Sequence, residues 1–270
     1  MLELESTMAL GLPGQVERLL AYTEPVAAAI LLMRLFQMHL AGRYRAFTLY
    51  LTCLVAEILV LMSVRRDTIF YFYVYVAVES VLSFAQILVI GELFSLVTAT
   101  YPGIARSGRR ILWAALAIAV AVSVLVLNFG VEHQPASGYF RLLGEYLVIA
   151  RLIAFTLLLF LALTLAVLFW FPIPLSRNVI MYVIGYSVYF TCRALTRLAG
   201  TLLGESTVVA LSAISVGIAL CCLVFWIAVL SKTGEYVSVT VGHRWEPGEG
   251  EALVRQLESI NSALLRSARK

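Results

Sequence analysis

The chain reads as an all-α integral membrane protein. The expected architecture is a seven-transmembrane-helix bundle with its N-terminus outside, its C-terminus in the cytoplasm and a short amphipathic C-terminal helix. Three observations predict this. Of 270 residues, 61% are hydrophobic and only 13% charged, with a mean hydropathy of +0.93, too little polar surface for a water-soluble domain. Separate apolar stretches, seven in all, approach the roughly 20 residues needed to cross a hydrocarbon core. The charges between those stretches then segregate by sign, as orientation in a membrane requires.

Residues 1–21 form an acidic outer segment without a basic n-region, so no cleaved signal peptide is expected. The transmembrane domain covers 22–231. Its first span, 22–40, opens at Pro25, a good first-turn residue, and is interrupted by Arg34 and Gln37. The others are 47–64, 69–97, 111–129, 147–171, 179–203 and 208–231. Alternate loops carry Arg43 and Arg45, then Arg106, Arg109 and Arg110, then Arg177, then Lys232, without an acid among them. The opposite loops dilute Arg18, Arg65, Arg66 and Arg141 with acids, including Glu24. The positive-inside rule puts the first set in the cytoplasm. Trp113, Trp170 and Trp226 fall at the inner ends of their spans, where an interfacial belt belongs.

Five ionisable residues lie inside spans: Glu57, Glu79, Arg151, Arg193 and Arg197. Each costs about 2.5–3.5 kcal/mol at membrane depth on the gentlest scale. With the helices oriented as above, all five fall in the outer half. In the third span Glu79, Ser83 and Gln86 share a helical face. In the sixth, Tyr182, Tyr186, Tyr189, Arg193 and Arg197 do the same, and in the second Tyr50, Cys53 and Glu57. Such faces turn toward a bundle interior or a wet cavity. The expected ligand-binding set is Glu57, Glu79, Gln86, Arg151, Tyr186, Tyr189, Arg193 and Arg197. Three guanidiniums against two carboxylates favour a small anion, since guanidinium forks fit planar oxyanions. The same residues also suit a purely architectural role, fixing helix register or snorkelling to the interface. Arg34 and Glu92, near inner ends, are expected to snorkel or pair locally.

The tail, 232–270, begins with a short strand at 236–241, where Val237, Val239 and Val241 alternate with Ser238 and Thr240. It has no evident partner in the chain. A Pro-Gly linker at 247–248 leads into a helix whose Leu253, Leu257, Ile260 and Leu264 form a stripe. That stripe suits a cytoplasmic partner protein, self-association, the membrane surface or docking under the bundle.

Other seven-span classes lack their diagnostic residues. No lysine lies deep in the seventh span for a retinal, and the receptor motifs Asp/Glu-Arg-Tyr and Asn-Pro-x-x-Tyr do not occur. His39, His133 and His243 lie far apart, so neither a metal nor a haem site is expected, and no catalytic motif is found. The four cysteines match no zinc spacing. A net charge of +4 makes no case for nucleic acid. No cofactor is expected, and no enzymatic activity.

The run Glu92-Leu-Phe-Ser-Leu, then Tyr101-Pro102-Gly103-Ile104-Ala105 and Gly108-Arg109, with Gly242-His243-Arg244-Trp245 in the tail, resembles an uncharacterised family of bacterial seven-span membrane proteins. The resemblance implies the bacterial inner membrane and carries no transferable activity. The functional expectation is a sensor or signalling scaffold that binds a small ligand from outside and relays through its tail. A transporter or channel for a small anion or proton-coupled solute, and a structural subunit of a larger membrane complex, are the alternatives.

Overall fold

A computed structural model describes residues 12–64, 69–129, 138–171, 173–199, 205–241 and 247–267. Its helices are α1 (Leu12–Gln37), α2 (Arg45–Ser63), α3 (Ile69–Val97), α4 (Pro102–Phe129), α5 (Gly138–Trp170), α6 (Arg177–Ala199), α7 (Glu205–Val229) and α8 (Pro247–Ser267). Strand β1 (Ile173–Ser176) precedes α6, and β2 (Ser238–Val241) precedes α8. Among the described residues four helical stretches are long and apolar enough to cross a membrane: Arg45–Ser63, Phe70–Val97, Ile149–Trp170 and Arg177–Thr196. A shorter apolar stretch, Ile214–Val229, lies in α7. The chain is a multi-pass membrane protein.

Its surface supports the same conclusion. On α1, Val26, Ile30 and Met33 are exposed at helical spacing while Ala27, Ala28, Leu31 and Leu35 are buried. Phe155, Leu159 and Leu163 on α5 repeat the pattern. Apolar side chains on both faces of a helix are what a lipid environment demands. α1 packs on α2 and α7, α2 on α3, α3 on α5, α5 on α6, and α6 on α7, which closes a ring.

Helix ends differ from the expected ones in instructive ways. α1 starts ten residues before Tyr22, so Pro25 lies inside the helix and Glu24 is on a helical face instead of in a loop. α1 ends with Leu40 N–H donating to Leu35 O at 2.9 Å and His39 N–H to Phe36 O at 3.0 Å. His39 takes φ 58°, the left-handed position usually given to glycine. α4 begins at Pro102, well before residue 111, because Pro fits a first turn.

Trp226 is not interfacial. It is fully buried against Phe47 and Tyr182, with ring centroids 4.9 and 6.4 Å away, whereas Trp113 and Trp170 are exposed. Gly185 makes this approach possible, since a Cβ there would sit 2.6 Å from Trp226 Nε1. Tyr44, Tyr50, Tyr182, Tyr186 and Tyr189 complete a buried aromatic interior.

The expectation that the tail strand has no partner is overturned. β2 pairs antiparallel with β1, Ile173 opposite Val241 and Leu175 opposite Val239. Arg177 N–H extends the ladder to Val237 O at 2.9 Å. The partner was missed because Ile173-Pro-Leu-Ser176 is short, contains a proline and sits between two apolar spans.

Candidate functional site

A cavity of ≈ 160 Å³ lies between α1, α3, α6 and α7, lined by Glu24, Glu79, Arg193, Thr196, Ser215, Val216 and Ala219. Arg193 Nη1 reaches Glu24 Oε1 at 3.3 Å and donates to the Tyr189 hydroxyl at 2.8 Å. The guanidinium carbon also stands 5.7 Å from the centroid of the Tyr189 ring. Tyr189 in turn shares a hydrogen bond with the Tyr50 hydroxyl of α2. Glu79 is buried, and Thr196 follows Arg193 by one helical step on the same face. Polar residues at helical spacing on α3 and α6 therefore meet in one polar pocket, because these helices turn those faces inward.

The expected residues do not all meet there. Glu79 and Arg193 line the cavity, and Tyr189 supports Arg193 from beneath. Gln86 is buried further along α3, beside Tyr50. Tyr186 is fully buried on α6, and its hydroxyl has no hydrogen-bond partner among the described residues. Glu57 on α2 and Arg151 on α5 are half-buried outside the lining, because neither helix frames the cavity. The Arg197 side chain lies outside the described residues. Glu24, Thr196 and Ser215 were missed. Glu24 has the look of a loop acid in the sequence because Pro25 suits a helix start, whereas the helix runs Leu12–Gln37. Thr196 and Ser215 are ordinary residues in membrane helices and carry no signal by themselves. The charge balance changes as well: the described lining holds two carboxylates and one guanidinium, the reverse of the expected cationic excess.

At the opposite end of the bundle Glu235, in the 3₁₀ turn Thr233–Glu235, gathers four side chains from three other segments. Its carboxylate accepts the Tyr44 hydroxyl at 2.5 Å, Asn178 Nδ2 at 3.0 Å and Ser176 Oγ at 3.4 Å, and pairs with Arg43 Nε at 3.0 Å. Asn178 Nδ2 also donates to Ser231 O at 2.7 Å. Burial, with the Glu235 carboxylate second, pushes the Tyr44 phenol well above its ordinary range.

Two helix starts at this end borrow caps from elsewhere in the chain. Glu92 of α3 accepts Ala46 N–H at 2.9 Å and Phe47 N–H at 3.2 Å, capping α2, and Tyr182 OH lies 3.4 Å away. Glu92 thus pairs with another helix's backbone, and does not snorkel. Asn261 of α8 accepts Gly103 N–H at 2.6 Å, capping α4. The tail helix packs on α4, with Leu265 Cγ close to Gly103; Leu257 is buried, Leu253 and Leu264 are half-buried and Ile260 is exposed.

No family model matches the chain, and neither curated proteins nor solved structures give a significant match. The resemblance to uncharacterised seven-span proteins thus gains no support from these comparisons.

Proposed function

We propose that the chain is a seven-helix sensor or signalling scaffold of the bacterial inner membrane, with α1–α7 as its spans. In this reading the N-terminus is outside and the tail is cytoplasmic. A small polar ligand enters the Glu24–Glu79–Arg193 cavity from outside, and the clasp around Glu235 passes a shift of α6 and α7 to the tail. The observation that carries this reading is the cavity itself, an ionisable polar pocket between helices whose other faces expose apolar side chains. α6 links its two ends, carrying Arg193 at the cavity and Asn178 at the clasp. Two acids around one guanidinium favour a ligand that brings a positive group, an amine or a zwitterion, over the simple anion expected from sequence. Buried rings of Tyr182, Tyr186, Tyr189 and Trp226 fill the interior between the cavity and the tail, which favours a receptor over a conduction path. The role is non-catalytic. The output is a cytoplasmic protein, or a second copy of the chain, that meets the exposed side of α8.

Thermal unfolding of the purified full chain tests this with acetate, glycine and ethanolamine as probes. Glycine or ethanolamine should raise the melting temperature, and Ser215→Leu, which fills the cavity, should abolish the rise. Uptake of the same solutes into proteoliposomes would instead favour the transporter reading.

A further inference from the structure

A second cavity, ≈ 480 Å³, opens between α2, α3 and α4 near the end that carries the tail. Three helices supply it at regular spacing: Arg45, Ala46 and Leu49 from α2, Ile87, Leu88 and Gly91 from α3, and Arg109, Leu112 and Trp113 from α4. Its walls are mostly apolar and its polar groups gather at one end. Gly91 borders the open space: a Cβ there would make only an ordinary contact, 3.7 Å from Leu112 Cδ2, and a longer side chain would enter the crevice. Arg109 and Trp113 are one turn apart on α4, and both are exposed.

Among the described residues neither Arg45 nor Arg109 forms an ion pair. Arg45 uses Nε on Gly42 O at 2.9 Å, which leaves its terminal nitrogens for a further acceptor. Glu92 also borders the space, but its oxygens accept Ala46 and Phe47 N–H and lie near Tyr182 OH, so its charge serves the start of α2. Ser95 Oγ donates to Glu92 O at 2.9 Å. Two guanidiniums stand above an apolar slot flanked by an exposed tryptophan. A headgroup phosphate with its acyl chain fits that arrangement, whereas a free ion would leave the slot empty. We infer that this crevice is a binding site for one anionic phospholipid of the leaflet at the tail end, with the phosphate on Arg45 and Arg109 and an acyl chain along Leu49, Leu88, Gly91 and Leu112.

Native mass spectrometry of the detergent-purified full chain tests the site, with phosphatidylglycerol, phosphatidylcholine and inorganic phosphate as probes. The wild type should retain phosphatidylglycerol selectively and keep it against excess phosphate. Arg45→Gln with Arg109→Gln should weaken retention about thirtyfold, as expected for two arginines near a lipid surface. Gly91→Leu should weaken it too, by filling the slot while leaving both arginines. Arg109→Gln alone, at an exposed position, keeps the test open should the double variant not fold. The inference fails on any of four results. These are equal retention of phosphatidylcholine, displacement by phosphate, indifference to Gly91→Leu, or a dimer mass without lipid, which would mean that a second copy covers the crevice.

Discussion

The Tyr44 hydroxyl and the Glu235 carboxylate meet at 2.5 Å across 191 positions of sequence, tying the α1–α2 connection to the start of the tail. Removing the acceptor strands buried donors, and that costs more than the bond's net worth. Glu235→Ala leaves Tyr44 OH without this acceptor and Asn178 Nδ2 with Ser231 O alone. The expected loss is about 2–3 kcal/mol in thermal unfolding, with faster proteolysis after Lys232. Glu235→Gln keeps an acceptor and should lose about half as much. Arg43→Ala should cost well under 1 kcal/mol, because half of that side chain is in solvent. Equal losses from Arg43→Ala and Glu235→Ala would show that the clasp is not organised around the phenol.

The same phenol gives a pH signature. Its folded pKa is raised above the ordinary value of about 10, by burial first and the Glu235 carboxylate second. The folded state therefore holds a proton that the unfolded chain releases. Stability from this group is fully present below pH about 10 and falls as pH climbs above it. Tyr44→Phe should be less stable than wild type at pH 8, and the two should converge at alkaline pH. A constant gap between the two unfolding curves from pH 8 to 11 would refute the assignment.

Arg193 faces Glu24 at 3.3 Å with little water around either, so single removals leave an uncompensated charge. Arg193→Gln and Glu24→Gln should each destabilise by about 2–3 kcal/mol, less than for a fully buried pair because the guanidinium is partly accessible. Arg193→Gln combined with Glu24→Gln should recover at least half of that loss. A double-mutant cycle on melting temperature reads the coupling. Additive losses would mean that the pair is not the unit and that Glu79 is the carboxylate that matters.

The long apolar helices were legible because hydrophobic length is a property of contiguous residues. The α6 stripe was legible for a related reason: Tyr189 and Arg193 are one turn apart, and the chain itself guarantees that they share a face. Depth brings Glu79 and Arg193 together, but the partners supplied by α1 and α7 escaped. Nothing near Arg193 in sequence names Glu24, 169 positions away. Arg151 and Glu57 matched Arg193 and Glu79 in depth, but depth says nothing about which helices adjoin, and α1 and α7 closed the cavity instead. Pro25 misled because proline is commonest at a helix start and here sits inside one. The alternation of β2 was legible, but its partner β1 escaped because four residues containing a proline between two apolar spans carry no strand signal.

Glu92 offers a test of capping between helices. Its carboxylate satisfies two of the first N–H groups of α2, with a favourable charge at the positive end of the helix dipole. Glu92→Ala should cost about 1–2 kcal/mol and raise amide exchange at Ala46 and Phe47 selectively. Glu92→Gln should retain at least one of the two bonds and lose less. Unchanged exchange at Ala46 in Glu92→Ala would show that water caps the helix equally well.

The docking of α8 turns on a residue without a side chain. A Cβ on Gly103 would lie 2.6 Å from the Asn261 carbonyl oxygen and 2.7 Å from its Oδ1. The side-chain oxygen can rotate away, but the backbone oxygen moves only if α8 moves. Gly103→Ala should therefore lift the tail helix from α4, freeing half-buried Leu265 from its contact there. Hydrogen exchange over 247–267 should rise sharply while α2 and α3 stay protected. Asn261→Ala removes the cap and keeps the fit, costing about 1 kcal/mol and loosening α8 far less. That order, Gly103→Ala well above Asn261→Ala, follows from a steric contact that cannot relax against a hydrogen bond that water can replace. Were Asn261→Ala to release the helix as fully as Gly103→Ala, docking would depend on the polar cap, and the close backbone contact would be incidental.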